Sequence, residues 1–339
     1  MRKMICLPAI LLAVILLIAG CAQKKTEEKK KIKIGICIWP GYAHAFIAKE
    51  KGLFRKNHVD VELVLTKNYA DILELYRNGK VDGLFGVYAD LFILNSEGIS
   101  TQVVYVVDYS DTGDVIIGKP KFSSLAELKK GKVSCEGLNT FSHIFVLKAL
   151  EKSGLKESDI QFEIIPAMDV LTALEKGQID AGHTWEPVTS QALKKGYKIL
   201  GKAGDVPGLI TDVLAFRAQV IKERPDDIQR IVKALFEARD FVYSKRDEAL
   251  EMMTRAEGMS REEMEKGIDG IRQPDLKGNI KAMQKSKETT SLYRSGEIIT
   301  DFYLNRGQLS QVPNLDEIIV PKFVIQLGKE ASSNQLSAK

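Results

Sequence analysis

From Ile32 onward the chain alternates between two apolar patterns. Short continuous apolar runs, rich in β-branched residues, lie at 32–38, 59–65, 81–87 and 103–107. Between them apolar positions recur at helical spacing over 43–51, 70–78 and 90–97. Strand and helix alternating in this way predict a parallel sheet covered on both faces. A second series follows, with helices at 124–130, 142–153 and 170–176 and strands at 132–135, 161–165 and 179–183. The run 210–218 then predicts a strand that returns to the first series. Crossings near 114–120 and 205–212 would make a two-stranded hinge. From Pro225 the pattern is almost wholly helical, broken at Pro274 and Pro313.

The two series echo one another. Residues 71–83 read DILELYRNGKVDG and residues 169–181 read DVLTALEKGQIDA. Each predicts a helix opened by an Asp able to cap free N–H groups, closed by a Gly suited to the left-handed conformation, and followed at once by a strand. Asp82 and Asp180, at the strand mouths, read as structural rather than ligand-binding. Two such units predict two lobes of similar α/β build.

The first twenty residues do not follow this pattern. Arg2 and Lys3 precede an apolar stretch from Ile5 to Ile18, then Ala19, Gly20 and Cys21. This is the form of a secretory signal (1–20) ending at a lipidation site, and the stretch is too short for a good membrane span. Acyl chains such as palmitate on Cys21 would each contribute roughly 0.8 kcal/mol per buried CH₂, and stable anchoring takes more than one chain. Residues 21–31 carry mostly Lys and Glu and no large apolar side chain, which predicts a flexible tether. The tail 328–339 is expected to fray. The expected location is extracytoplasmic, lipid-anchored in the periplasm or on the outer face of the cell membrane.

Length and charge narrow the class. Some 300 residues beyond the tether exceed one compact core, in keeping with two lobes. The formal charge of +4 falls to +2 without Arg2 and Lys3, which argues against a nucleic-acid partner. Cys37 and Cys135 lie in strand-like runs and read as buried free thiols rather than a disulfide. No cysteine spacing suggests a metal, and no cofactor motif appears.

The segment 38–54, IWPGYAHAFIAKEKGLF, together with 122–155 and 173–200, resembles the ABC-importer substrate-binding proteins for sulfonates, taurine, nitrate and thiamine-precursor pyrimidines. The resemblance runs from Ile32 to about Tyr243. It implies a hinged, two-lobed periplasmic-binding-protein fold of type II, each lobe a mainly parallel sheet flanked by helices, with a helical C-terminal part. Lobe 1 would take 32–114 and 212–327, and lobe 2 would take 118–205. Such proteins close around small ligands at the hinge, and the expected ligand is a small polar nitrogen- or sulfur-containing compound, either taurine- or sulfonate-like or an amine or pyrimidine, delivered to the permease. The implied partners are a small-molecule ligand and an ABC permease with its cytoplasmic ATPase, and the protein would act as a monomer.

Carried over by position, the cleft receives Trp39, Pro40, Gly41 and Tyr42 after the first strand, and Tyr88, Ala89 and Asp90 after the third. From the second lobe come the loop 137–142, with Asn139, Thr140 and Ser142, and the turn 183–187, with Trp185 and Glu186. In many relatives the loop before the helix greets an anionic group through free N–H groups and the helix dipole, and Asn139, Thr140 and Ser142 are candidates for that role. Against this stand Asp90, Asp108, Asp111, Asp114, Glu136, Glu186 and Asp212, all at predicted strand ends or hinge loops. Two carboxylates facing an anion at ~4 Å cost about 4 kcal/mol each at an effective dielectric near 20. An amine, a zwitterion or a protonated heterocycle suits such a lining better, with Trp39, Tyr42 and Trp185 offering cation–π faces. Glu186 and Asp108 lead the acidic candidates, and Asp212 joins them.

Three rivals remain. His44, His143 and His183 lie beside cleft segments and could with a carboxylate hold zinc, though none is spaced for chelation within one element. An enzyme would need a nucleophile or cofactor motif, or the cysteine-rich motif of pyrimidine-making relatives, and none is present. A ligand sensor for a membrane receptor would use the same hinge.

Overall fold

The computed structural model describes residues 30–337, with side chains to 333. The signal, Cys21 and most of the tether lie outside the described residues. The described chain forms two sheets flanked by helices. The first holds β1 (Ile32–Cys37), β2 (Val61–Thr66), β3 (Gly83–Val87), β4 (Thr101–Ser110), β10 (Thr211–Arg217) and β11 (Ile271–Arg272), ordered β11-β4-β10-β3-β1-β2. The second holds β5 (Val115–Gly118), β6 (Lys132–Cys135), β7 (Gln161–Ile164), β8 (Ala181–Thr184) and β9 (Lys198–Lys202), ordered β7-β6-β8-β5-β9.

Setting β11 aside, the two orders are the same figure. In each sheet a parallel trio is followed by one strand that runs against its neighbours, β10 in the first sheet and β5 in the second. Those are the strands that arrive from the other lobe. Residues Val115–Gly118, expected within the hinge, form β5 instead, fully buried between β8 and β9. The crossings are therefore short. They lie at 111–114 and 203–210, joined by Gly204 N–H to Asp111 O at 2.7 Å and Ala203 N–H to Asp114 O at 3.0 Å.

The echoed segments occupy equivalent places. Gly79 (φ +65°) and Gly177 (φ +69°) follow the helices Tyr69–Arg77 and Val170–Glu175 in left-handed conformation, which costs a side chain about 1–2 kcal/mol. Asp82 accepts the Lys33 N–H at 2.8 Å, and Asp180 accepts the Lys132 N–H at 3.1 Å. Each carboxylate thus pins the start of the neighbouring parallel strand. The capping role expected of Asp71 and Asp169 is not what the structure shows. Neither helix has a side-chain cap bond, Asp71 sits inside the first turn, and Asp169 pairs with Lys67 at 3.2 Å.

Two further expectations are corrected. Residues 124–130 form only a 3₁₀ turn, Leu125–Leu128. The tail expected to fray from 328 continues the helix Lys322–Ser337, because Phe323, Val324 and Leu327 pack into the core. Among the described residues no helix is long and apolar enough to cross a membrane.

Candidate functional site

The parallel trios of both sheets aim their carboxyl ends at the cleft between the lobes, where open α/β sheets bind ligands. Cys37 ends β1, Val87 ends β3, and Tyr69 opens the helix after β2. Phe141 opens the helix Phe141–Lys152 after β6, and Trp185 follows β8. With Trp39, Tyr42, Asp114, Ile210 and Asp212 they line a cavity whose empty space, counted together with its opening to solvent, is about 240 Å³.

The lobes are closed on this cavity. Trp185 Nε1 donates across the cleft to Ile38 O at 3.0 Å, and its ring meets Trp39 edge-on at 6.1 Å. Asp90 Oδ1 accepts the Phe141 N–H at 2.7 Å. Outside the cavity Lys67 meets Asp169, Arg306 meets Glu157, and Lys194 meets Glu262.

Five rings (Trp39, Tyr42, Tyr69, Phe141 and Trp185) and two carboxylates (Asp114 and Asp212) form most of the wall. Trp39 is fixed by a bond from Nε1 to Asp108 Oδ2 at 3.1 Å. Gly41 makes this possible, since a Cβ there would lie 1.9 Å from Asp108 Oδ2 and 2.5 Å from Trp39 Nε1. Tyr42 donates its hydroxyl to Asp212. Asp114 accepts from His183 Nε2 at 2.9 Å. His183 Nδ1 then accepts the Ser142 hydroxyl at 2.7 Å, and Ser142 Oγ accepts the Glu136 N–H at 3.0 Å. This Ser–His–Asp chain points its carboxylate at the cavity and buries its hydroxyl, the reverse of what a nucleophile needs.

The electrostatics are one-sided. Asp90, Asp108, Asp114, Glu136 and Asp212 are all buried, and among the described residues no Lys or Arg is. Burial pushes Asp108 up to about 7, with the Asp114 charge adding to it and the Trp39 N–H opposing. Burial and the charges of Asp108 and Asp114 push Asp212 up as well. Glu136 rises to about 7, mainly through burial. Asp108 Oδ1, Asp114 Oδ2, Asp90 Oδ2 and Glu136 Oε2 have no hydrogen-bond partner.

A model of the NMT1-like family matches residues 25–256. The chain belongs to the NMT1-like family. A putative binding protein of Brucella abortus is 29% identical over 217 residues, covering 62% of this chain and 66% of that protein, just under two thirds of its length. Two solved structures share the fold at 19% identity. The ligand-binding component of an ABC-type import system from Staphylococcus aureus, with zinc bound, has a TM-score of 0.72 and covers 87% of this chain and 98% of its own. The periplasmic aliphatic sulphonate-binding protein of Escherichia coli has a TM-score of 0.69, with 87% and 99% covered. The architecture is that of the periplasmic binding proteins.

In this NMT1-like chain, six residues singled out from sequence meet on the cavity wall: Trp39, Tyr42, Trp185 and Asp212, with Asp114 from the acidic group and Phe141 from the loop 137–142. Asp108 stands behind them, holding Trp39. The others lie elsewhere. Both oxygens of Glu186 are taken by the Ser190 N–H (3.1 Å) and hydroxyl (2.9 Å), in the first turn of the helix Val188–Lys194 that follows it. Asn139 is exposed with φ +64°, Thr140 turns its hydroxyl to Gly137 O, and Ser142 is engaged with His183. Asp90 bridges the cleft beside the cavity. Cys37, Tyr69 and Val87 were missed, although their places at or just past strand ends were the available signal. Cys37 and Cys135 are free and buried. The three histidines are dispersed: His44 Nδ1 is at Gly41 O, and His143 Nδ1 accepts the Asn139 N–H. Among the described residues no group of three His, Cys, Asp or Glu could hold a metal.

Proposed function

We propose that this protein is the extracytoplasmic substrate-binding component of an ABC importer, and that its ligand is a small organic cation. An amine, a zwitterion presenting its amine, or a protonated nitrogen heterocycle fits that description. The observation that carries the reading is the cavity wall, which combines five aromatic rings and two carboxylates without a single basic side chain. Aromatic faces attract a desolvated cation by ~2 kcal/mol or more, and the carboxylates add direct charge. A bare anion such as nitrate or a simple sulfonate would face two carboxylates and no basic side chain on this wall. Sulfonate binding belongs to the E. coli relative's name, and this wall offers no cation for it.

Transport needs no chemistry at this site. The lobes, 32–114 with 212–327 and 118–205, would open at the hinge, admit the ligand and close over it, and the closed form would dock on the permease. Acylation of Cys21 would tether the protein to the membrane.

The test is a thermal-shift screen of the purified full-length protein with simple amines, aminopyrimidines, taurine, alkanesulfonates, nitrate and Zn²⁺. Ligand at a hundred times its Kd adds about 2.7 kcal/mol of stability. The expected result is a shift with an amine or protonated heterocycle, lost in Asp212→Asn, with the compound recovered unchanged. A shift only with nitrate or alkanesulfonates would overturn the ligand class, and a product differing from the added compound would overturn the binding role.

A further inference from the structure

The helix Phe141–Lys152 begins at the cavity and has no cap of its own. Its N-cap residue, Thr140, makes no side-chain bond to the first turn and gives its hydroxyl to Gly137 O instead. A twelve-residue helix leaves free N–H groups and a partial positive charge at that end, a ready place for an anion. A carboxyl group already sits there. Asp90, from the first turn of the helix Tyr88–Ser96 in the opposite lobe, reaches over the cleft and accepts the Phe141 N–H at 2.7 Å. It is only 3% exposed, and its second oxygen, Oδ2, has no partner. Phe141 forms part of the cavity wall, as does Tyr69, whose hydroxyl stands beside the Asp90 carboxyl. The position Asp90 fills therefore borders directly on the space the ligand would use.

We propose that Asp90 is a specificity-determining residue: it takes, from within the chain, the anion position at the start of the helix Phe141–Lys152 and so excludes sulfonates and similar anions from the site. This rests on the cation-binding reading above and adds the device that enforces it. The contact exists only when the lobes are together, because its two halves belong to different lobes. Any ligand anion competing for the same N–H would have to displace a carboxylate held by its own backbone. A cation need not compete, and Asp90 adds to the field that attracts it.

The experiment measures calorimetric affinity for methanesulfonate and for methylammonium in full-length wild type, Asp90→Ala, Asp90→Asn and Asp90→Glu. Circular dichroism and melting temperature report the fold of each. Asp90→Ala should gain methanesulfonate affinity by at least about tenfold over wild type. Asp90→Asn, which keeps the bulk and the acceptor but not the charge, should gain less, and Asp90→Glu should gain nothing. A folded Asp90→Ala or Asp90→Asn protein that binds methanesulfonate no better than wild type overturns the proposal. Wild type binding methanesulfonate as well as Asp90→Ala overturns it too. The methylammonium arm separates the two claims. If no variant binds this or any other cation while Asp90→Ala gains the anion, the cation reading falls and the role of Asp90 stands.

Discussion

At the scale of the residue, the unusual feature is the gathering of acids without counter-cations. A buried carboxyl disfavours its charged form, and here burial lifts Asp90, Asp108 and Glu136 to about 7 and Glu257 to about 8. A carboxyl raised in the folded state stabilises the fold fully only below its unfolded value near 4, and that contribution is lost as pH rises through 7 to 8. His44 and His143, pushed down to about 4 chiefly by burial, act in the opposite sense, and only between 4 and 6.5. Above pH 6.5 the acids alone remain. The stability of the ligand-free protein should therefore fall from pH 6.5 to 8, by on the order of 1 kcal/mol per pH unit for each group still titrating, and its melting temperature should fall with it. A flat or rising melting temperature over that interval would contradict these environments. Residue types were legible in the sequence, and so was the acidic character of the cleft. Which acid faces the cavity was not, because Glu186 and Asp114 are both acidic residues beside strand ends. What separates them is Ser190, one helical turn beyond Glu186, which takes both its oxygens.

At the scale of the element, the repeat seen in two thirteen-residue segments proves to be a repeat of whole sheets. The glycines and the strand-mouth aspartates were readable because backbone conformation and local hydrogen bonding demand particular side chains. The β5 strand was not, since Val115–Gly118 is short and its antiparallel partners lie some 60 to 90 residues away. Closure is held in part by elements outside the sheets. From the helix Leu292–Asn305, Tyr303 donates to Asn139 O at 3.3 Å, and Arg306, just beyond it, pairs with Glu157. The ion pair is largely solvated and worth no more than ~1 kcal/mol. Arg306→Ala should weaken ligand affinity by no more than about fivefold and leave the ranking of ligands unchanged. A change in ranking would mean that this contact shapes the cavity rather than the lobe equilibrium.

At the scale of the whole molecule, two similar lobes face their strand ends at one another and close on the cavity lined by Trp39, Trp185 and Asp212. The hinge is held by three successive N–H groups, of Asp111, Thr112 and Gly113, that converge on Gly270 O at 3.0, 2.9 and 3.0 Å. The C-terminal helices thus anchor the crossing around which the lobes would open. The two alternating strand-and-helix series could be read from periodicity, the short β5 strand excepted. The closed contacts could not, because Asp90 with Phe141 and Trp185 with Ile38 are pairings between lobes that no local pattern encodes. The central claim is that a positive charge completes this acidic cavity, and its most direct test is the proton count on binding. Calorimetry of the tightest binder at pH 6, in two buffers of different ionisation enthalpy, gives that count. A cation entering beside Asp108 and Asp212 lowers their raised affinity for protons, so the account predicts proton release. Proton uptake would show that the site takes an anion, and would contradict the account.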